Sequence, residues 1–350
     1  MDLDTSIFSP SIVLKGALVV VAVALTVFAL LQMPWVRVAS SDLSLFFRPA
    51  ARAWLSGKNP YEIRGYVNPP WTLPLLVPFS LGPLRWNYVL YFLFSCAVLG
   101  AAVRAFGGRR WLLLGVLISP PTISLLALGQ LDIWVLLGVL LGRWAVDQKH
   151  GMGLGVALAL VLIKPQVGGL VAVVWILTQP LSLSWRAVAT LVMIWLLSCL
   201  AAGVWWPFGP DLSWYSVNLG KSMSTRDLVQ DLGLHIIVYP IVVAGLVALW
   251  GWAVHRRGAT DFTLALSLLV TVLSTPYVLR HTFSVPLATA FVLLGSCSRT
   301  WAILTYALTW LPILTLFLDR GRGWWEVGAW WLLLTGLVLA RRHGLRSREV

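Results

Sequence analysis

Four polar clusters interrupt an otherwise apolar chain of 350 residues, and each carries side chains suited to proton transfer or phosphate binding. Asp42 stands ahead of an amphipathic stretch. Gln130 and Asp132 close the turn Gly129–Asp132, Lys164 and Gln166 flank Pro165 between two short apolar runs, and Arg280 and His281 follow an apolar run that ends near 276. A carboxylate at such a boundary can take a proton as a general base, while Lys, Arg and His can hold a phosphate, Arg through paired hydrogen bonds. Each residue also has a plainer role. Asp42 can cap a helix, and Arg280 can anchor at a membrane interface. Asp132 can cap a helix or bond to the break at Lys164, and this structural reading is preferred for it. Lys164 inside an apolar zone is costly unless it faces a cavity or pairs with an acid, although its long stem can also reach the interface. Lys221 and Arg226, with Asn218 and Ser222, lie in a polar loop where substrate contact and simple solvation are both open.

These residues must be positioned by membrane helices. The chain is 59% hydrophobic and 11% charged, with a mean hydropathy of +0.84, against roughly 25% charged residues in soluble domains. A soluble fold is excluded. Apolar runs recur along the whole length, so one transmembrane domain over residues 1–350 is expected. The formal net charge of +13 comes from basic residues scattered singly or in pairs, which argues against nucleic acid as a partner and for membrane topology. Cys96, Cys199 and Cys297 each sit inside an apolar stretch without metal-ligand spacing and are read as packing residues. The 21 tryptophans gather near run ends, as at Trp111, Trp205, Trp206, Trp324 and Trp325, where an amphipathic ring prefers the membrane interface.

Hydropathy places helices near 12 to 33, 84 to 104, 110 to 128, 131 to 146, 187 to 205, 234 to 254, 260 to 276, 282 to 297, 301 to 318 and 324 to 341. The first of these lacks a basic leader and a small-residue cleavage site, and is read as a retained span. Two shorter runs, 152 to 163 and 167 to 178, flank Lys164–Gln166 as half-length spans meeting at a loop sunk into the membrane, tolerated where protein or a water-filled cavity covers the broken backbone. The total is about twelve spans. With the N-terminus inside, the short loops and the C-terminal tail carry their Lys and Arg on the cytoplasmic side, and the polar clusters fall outside. From Leu43 to Leu55, the residues Leu45, Phe46, Ala50, Ala53 and Trp54 share one helical face beside Arg48 and Arg52, which predicts an amphipathic helix along the outer interface. Gly151–Gly155 reads as close helix packing. There is no zinc-protease, nucleotide-loop, nucleophile-elbow or Asp-x-Asp motif.

From Asp42 through the GKNPYEI stretch to NPPWTLPLLVPF, the chain resembles glycosyltransferase family 87, polyprenyl-phosphate-sugar-dependent enzymes of the GT-C superfamily. Gly129–Asp132, Ile163–Gln166 and Ser274–His281 continue the resemblance in order, with Tyr277–Arg280 standing where a Trp-containing segment is expected. The resemblance implies an all-α, GT-C-like polytopic fold with an outer amphipathic helix after the first span. It implies a catalytic module over about 1–205, with helices of about 206–350 shaping the acceptor site. The expected reaction is inverting transfer of a hexose, mannose in the first place, from a polyprenyl phosphate to a lipid-linked or glycan acceptor. This would take place at the outer face of a bacterial or archaeal cytoplasmic membrane. Asp42 would be the base, and Lys164, Arg280 and His281 would hold the donor phosphate. Gln130, Asp132, Gln166, Tyr61, Asn68 and Lys221 would contact substrate, with no cofactor and no metal. Two other classes remain open: a lipid-glycan transporter or flippase, whose inverted repeat is not visible, and a ligase or polymerase of the O-antigen kind, against which the Asp42 loop argues.

Overall fold

A computed structural model describes residues 41–205, 224–316 and 324–340; the expected first span and Lys221 lie outside the described residues. Every element among the described residues is helical. The chain enters through a π turn, Leu43–Phe47, that runs straight into α1 (Arg48–Leu55). A helix was expected here, but the face it buries is Leu43, Phe47, Ala50 and Ala51, with Leu45 exposed, because its two arginines fasten it to the next turn. Arg48 Nη2 donates to the Gly82 carbonyl at 3.2 Å and Arg52 Nε to that of Ser80 at 3.0 Å. A short helix α2 (Thr72–Leu76) leads to α3 (Leu84–Ala105), the first long apolar helix among the described residues.

One expected helix is two. The run 110 to 128 is divided into α4 (Arg110–Ile118) and α5 (Pro120–Leu128), whose axes differ by 62°. Pro120 and Pro121 are the cause. Proline pushes the residue before it out of the helical region, and Ser119 has φ −69° and ψ 145°, while proline itself suits the first turn of a new helix.

The centre is built from α6 (Asp132–Asp147), α7 (Gly151–Val161), α8 (Pro165–Thr178) and α9 (Leu181–Ala202). Helix α7 packs on α6 and α9 through its glycines. A Cβ at Gly151 would stand 2.6 Å from Arg186 Cβ, and one at Gly155 would stand 2.4 Å from Thr190 Cβ, so the small-residue pattern does serve close packing. Beyond the undescribed stretch come α10 (Thr225–Asp231), α11 (Val238–Arg257) and α12 (Asp261–Ser274), with α12 packed against α8. Arg143 near the end of α6 pairs with Asp261 at 3.0 Å and fastens the start of α12. A 3-10 turn, Arg280–Phe283, leads through Ser284–Pro286 and a π turn, Leu287–Phe291, to α13 (Val292–Cys297), where a single span from 282 to 297 was expected. Helices α14 (Arg299–Leu316) and α15 (Trp324–Ala340) complete the described residues, and Trp330 of α15 stacks on Phe283 with centroids 4.5 Å apart.

Among the described residues, α3, α9 and α11 can each cross a membrane by length and apolarity, and the bent pair α4 and α5 makes a fourth if it counts as one span. The expected count of about twelve covers the whole chain, including a first span outside the described residues, and counts the two runs beside Lys164–Gln166 as half-length spans. Helices α7, α8 and α12 are apolar but only 11, 14 and 14 residues long, short of the roughly 17 residues a full span needs.

Candidate active site

Asp42 is not a helix cap. Ser41 takes that place, its Oγ accepting from the Ser44 amide at 3.3 Å and its carbonyl from the Leu45 amide at 2.9 Å. The Asp42 carboxylate instead accepts a hydrogen bond from the Gln130 side-chain amide, 88 residues away. Burial lifts the Asp42 carboxyl above its ordinary range, opposed by the nearby charge of Lys164 and by the Gln130 hydrogen bond.

The turn bearing Gln130 reaches Asp42 because Gly129 permits it. Gly129 ends α5 in the left-handed region at φ +67°, and a Cβ there would stand 2.8 Å from Leu43 Cβ, next in sequence to Asp42. The Gln130 carbonyl is held from below by the buried Tyr91 hydroxyl of α3 at 2.8 Å. Gly129→Ala adds left-handed strain of about 1–2 kcal/mol and pushes Leu43 away. The expected result is transfer activity lowered more than tenfold in a variant that still purifies as folded protein. Unchanged activity would show that this close approach is not needed.

Gln130 also reaches the other way. Its side-chain carbonyl accepts from Lys164 Nζ at 2.9 Å, and Lys164 donates to Asp132 Oδ2 at 2.7 Å. The Lys164 side chain is 12% exposed and that of Asp132 is fully buried, so the lysine is turned inward rather than reaching for the interface. The break that carries it is shaped by Pro165 at the first position of α8, with Lys164 at φ −128° and ψ 86°. Two glycines close around it. A Cβ at Gly168 would meet the Val161 carbonyl at 2.4 Å, and one at Gly138 would meet Leu160 Cβ at 2.8 Å.

His281 completes the cluster from the 3-10 turn, with Nε2 3.7 Å from Asp132 Oδ2, beyond direct hydrogen bonding. Asp132 Oδ1 is buried with no hydrogen-bond partner among the described residues. One continuous polar path thus runs from Asp42 through Gln130 and Lys164 to Asp132, with His281 beside it. A carboxylate in this setting can accept a proton, and a lysine with three N–H donors, two already directed, keeps one for a further acceptor.

The other expected residues make contacts of their own. Tyr61 and Asn68 engage each other, the Tyr61 hydroxyl donating to the Asn68 carbonyl at 2.8 Å. Gln166 accepts from Thr275 Oγ1 through its backbone carbonyl at 3.2 Å, tying α8 to the end of α12. Arg280 is half-buried next to His281. The sequence marked Gly129 only as the start of its turn, and Tyr91 was not singled out. Tyr88 and Tyr91, three apart on an apolar helix and both aimed at carbonyls of the 126–130 turn, were the available signal.

The profile of glycosyltransferase family 87 matches residues 66–279, more than half of the chain, and takes in Gln130, Asp132 and Lys164. The chain belongs to glycosyltransferase family 87. A comparison with curated proteins finds no match. As a family 87 member it is a glycosyltransferase, and its long apolar helices mark it as a membrane protein. Family membership favours group transfer over the transporter reading. Asp42, Tyr61, Arg280 and His281 lie outside the matched stretch, so their assignment rests on the geometry above.

Proposed function

We propose that this family 87 glycosyltransferase moves a hexose, mannose in the first place, from a polyprenyl phosphate to a lipid-linked or glycan acceptor. The transfer inverts the anomeric carbon and takes place on the outer face of a bacterial or archaeal cytoplasmic membrane. The observation that carries the reading is the Asp42 carboxylate: it is released from helix capping by Ser41 and fixed instead by Gln130 at the head of a path of buried polar groups. A GT-C-like arrangement of about twelve spans, with a catalytic part over about 1–205, belongs to the same proposal.

In this mechanism Asp42 takes the proton of the acceptor hydroxyl as its oxygen bonds to the anomeric carbon. The bond from that carbon to the phosphate oxygen breaks, and its electron pair leaves with the prenyl phosphate. Lys164 offers its remaining N–H to a phosphate oxygen. Because Asp132 balances the Lys164 charge, Arg280, with His281 beside it, supplies the additional positive charge and donors that a leaving phosphate needs. Gln130, Asp132, Gln166, Tyr61 and Asn68 would contact substrate, as would Lys221, which lies outside the described residues.

A membrane-dissolved donor suits a site on the outer side, where nucleotide sugars are not supplied, and cationic side chains can neutralise a single leaving phosphate without an ion. The test offers purified enzyme either a polyprenyl monophosphate sugar or a nucleotide sugar, each with and without chelator. Transfer from the lipid donor alone, unaffected by chelator, is expected. Transfer from the nucleotide sugar, or complete loss on chelation, would refute the reading.

A further inference from the structure

A second polar site lies at the far end of the central helices. Helices α6 and α8 start at Asp132 and Pro165 beside the candidate active site and run away from it for 16 and 14 residues, or about 20 Å. Where they end, a cavity of about 430 Å³ opens between the α6–α7 link and the α8–α9 turn. Lys149 and Arg186 line it together with Gln179, Pro180 and Ser182, and no Asp or Glu does. Two cations and two neutral polar side chains around one void form a lining for an anion.

Both cations are exposed at its rim, and the backbone sets where each one starts. Lys149 is the only non-glycine with positive φ among the described residues, at +50°, in the tight link between α6 and α7. The left-handed region is costly for a lysine, and Asn or Gly adopts it more easily. Arg186 rises from the second turn of α9 into space that Gly151 leaves free, since a Cβ on that glycine would collide with the arginine stem at 2.6 Å.

The surroundings select the kind of anion. Leu177, Leu181 and Trp185 flank the same turn and are 71%, 84% and 69% exposed, an apolar band that matches acyl chains rather than water. We infer that this cavity binds the phosphate of an anionic membrane lipid in the leaflet opposite Asp42, with Lys149 and Arg186 on the headgroup and the acyl chains lying along Leu177, Leu181 and Trp185. Basic pockets between transmembrane helices recognise lipid headgroups in this way. The inference does not depend on the sugar or the donor, so it stands or falls separately from the proposed reaction.

Native mass spectrometry of the full-length purified chain, titrated with phosphatidylglycerol or phosphatidylcholine, tests it. The wild type is expected to retain one phosphatidylglycerol saturably and in preference to phosphatidylcholine. The double variant Lys149→Asn with Arg186→Gln keeps a residue suited to the left-handed turn and a stem against Gly151. It should bind phosphatidylglycerol about thirtyfold more weakly, the scale of two cations near a lipid phosphate. Arg256→Gln, an exposed cation on α11, should leave binding unchanged. Equal retention of the two lipids by the wild type overturns the inference without any variant being needed. So does undiminished phosphatidylglycerol binding by a double variant that elutes as folded protein. Displacement of the lipid by millimolar inorganic phosphate would reassign the cavity to a free anion.

Discussion

Asp42→Asn is expected to lower turnover by about a hundredfold or more, the scale of lost general base catalysis, while leaving the fold in place. The amide keeps the size of the carboxylate and can still meet the Gln130 side chain after a flip, and Ser41 rather than Asp42 caps the π turn, so no helix start is lost. The substitution therefore separates chemistry from structure. The pH profile adds a second sign. Burial raises the Asp42 carboxyl, so the active, deprotonated form is lost as pH falls through a value above the ordinary carboxylate range, and kcat should decline there. In the Asn variant that limb should vanish from the residual activity. Near-normal turnover by the purified variant would move the role of base to Asp132.

The second large effect is on stability. Lys164→Met leaves Asp132 fully buried with its charge uncompensated, since Lys164 supplies the hydrogen bond at 2.7 Å and His281 stands off at 3.7 Å. Removing one partner of a buried pair costs about 3–5 kcal/mol, because the remaining charge keeps its desolvation penalty. Lys164→Met should therefore melt far below the wild type in a detergent thermal scan and lose activity as well. Adding Asp132→Asn should recover much of the melting temperature without recovering activity, because the surviving charge is gone but Gln130 is no longer held. A double variant no more stable than Lys164→Met would show that Asp132 is not the group left stranded.

Much of the local architecture was legible in the sequence. The helix after Asp42 was legible from its apolar residues and from Arg48 and Arg52, which reach the 80–82 turn, but the face it buries is Leu43, Phe47, Ala50 and Ala51 rather than the one expected. The break at Lys164–Gln166 was visible because a lysine and a proline interrupt apolar residues together. The division of 110 to 128 was harder to see. Pro120 and Pro121 leave hydropathy unbroken, and proline at a first helical turn is as compatible with a new helix as with the start of one already counted. The assembly of the site was legible only in part. Position along the chain put Asp42, Asp132, Lys164 and His281 at the same side of the membrane, but contacts spanning 88 and 34 residues leave no periodic trace. Which alternative each side chain takes depends on such contacts. Asp42 is freed from capping by a neighbouring serine, and Lys164 is drawn inward by an aspartate two helices earlier. Gly129 was legible as the start of a turn, but its role and that of Tyr91 were not, because a close approach and a carbonyl contact leave no record in composition or motif.

The most direct measurement is a structure of the full-length enzyme in a lipid nanodisc with a non-transferable polyprenyl phosphate sugar bound. The account predicts the sugar ring beside Asp42, with the place of the incoming acceptor oxygen within roughly 3 Å of the carboxylate or one water away, and the phosphate within reach of Lys164 and Arg280. Density placing the sugar away from Asp42, with the phosphate contacting neither cation, would contradict it.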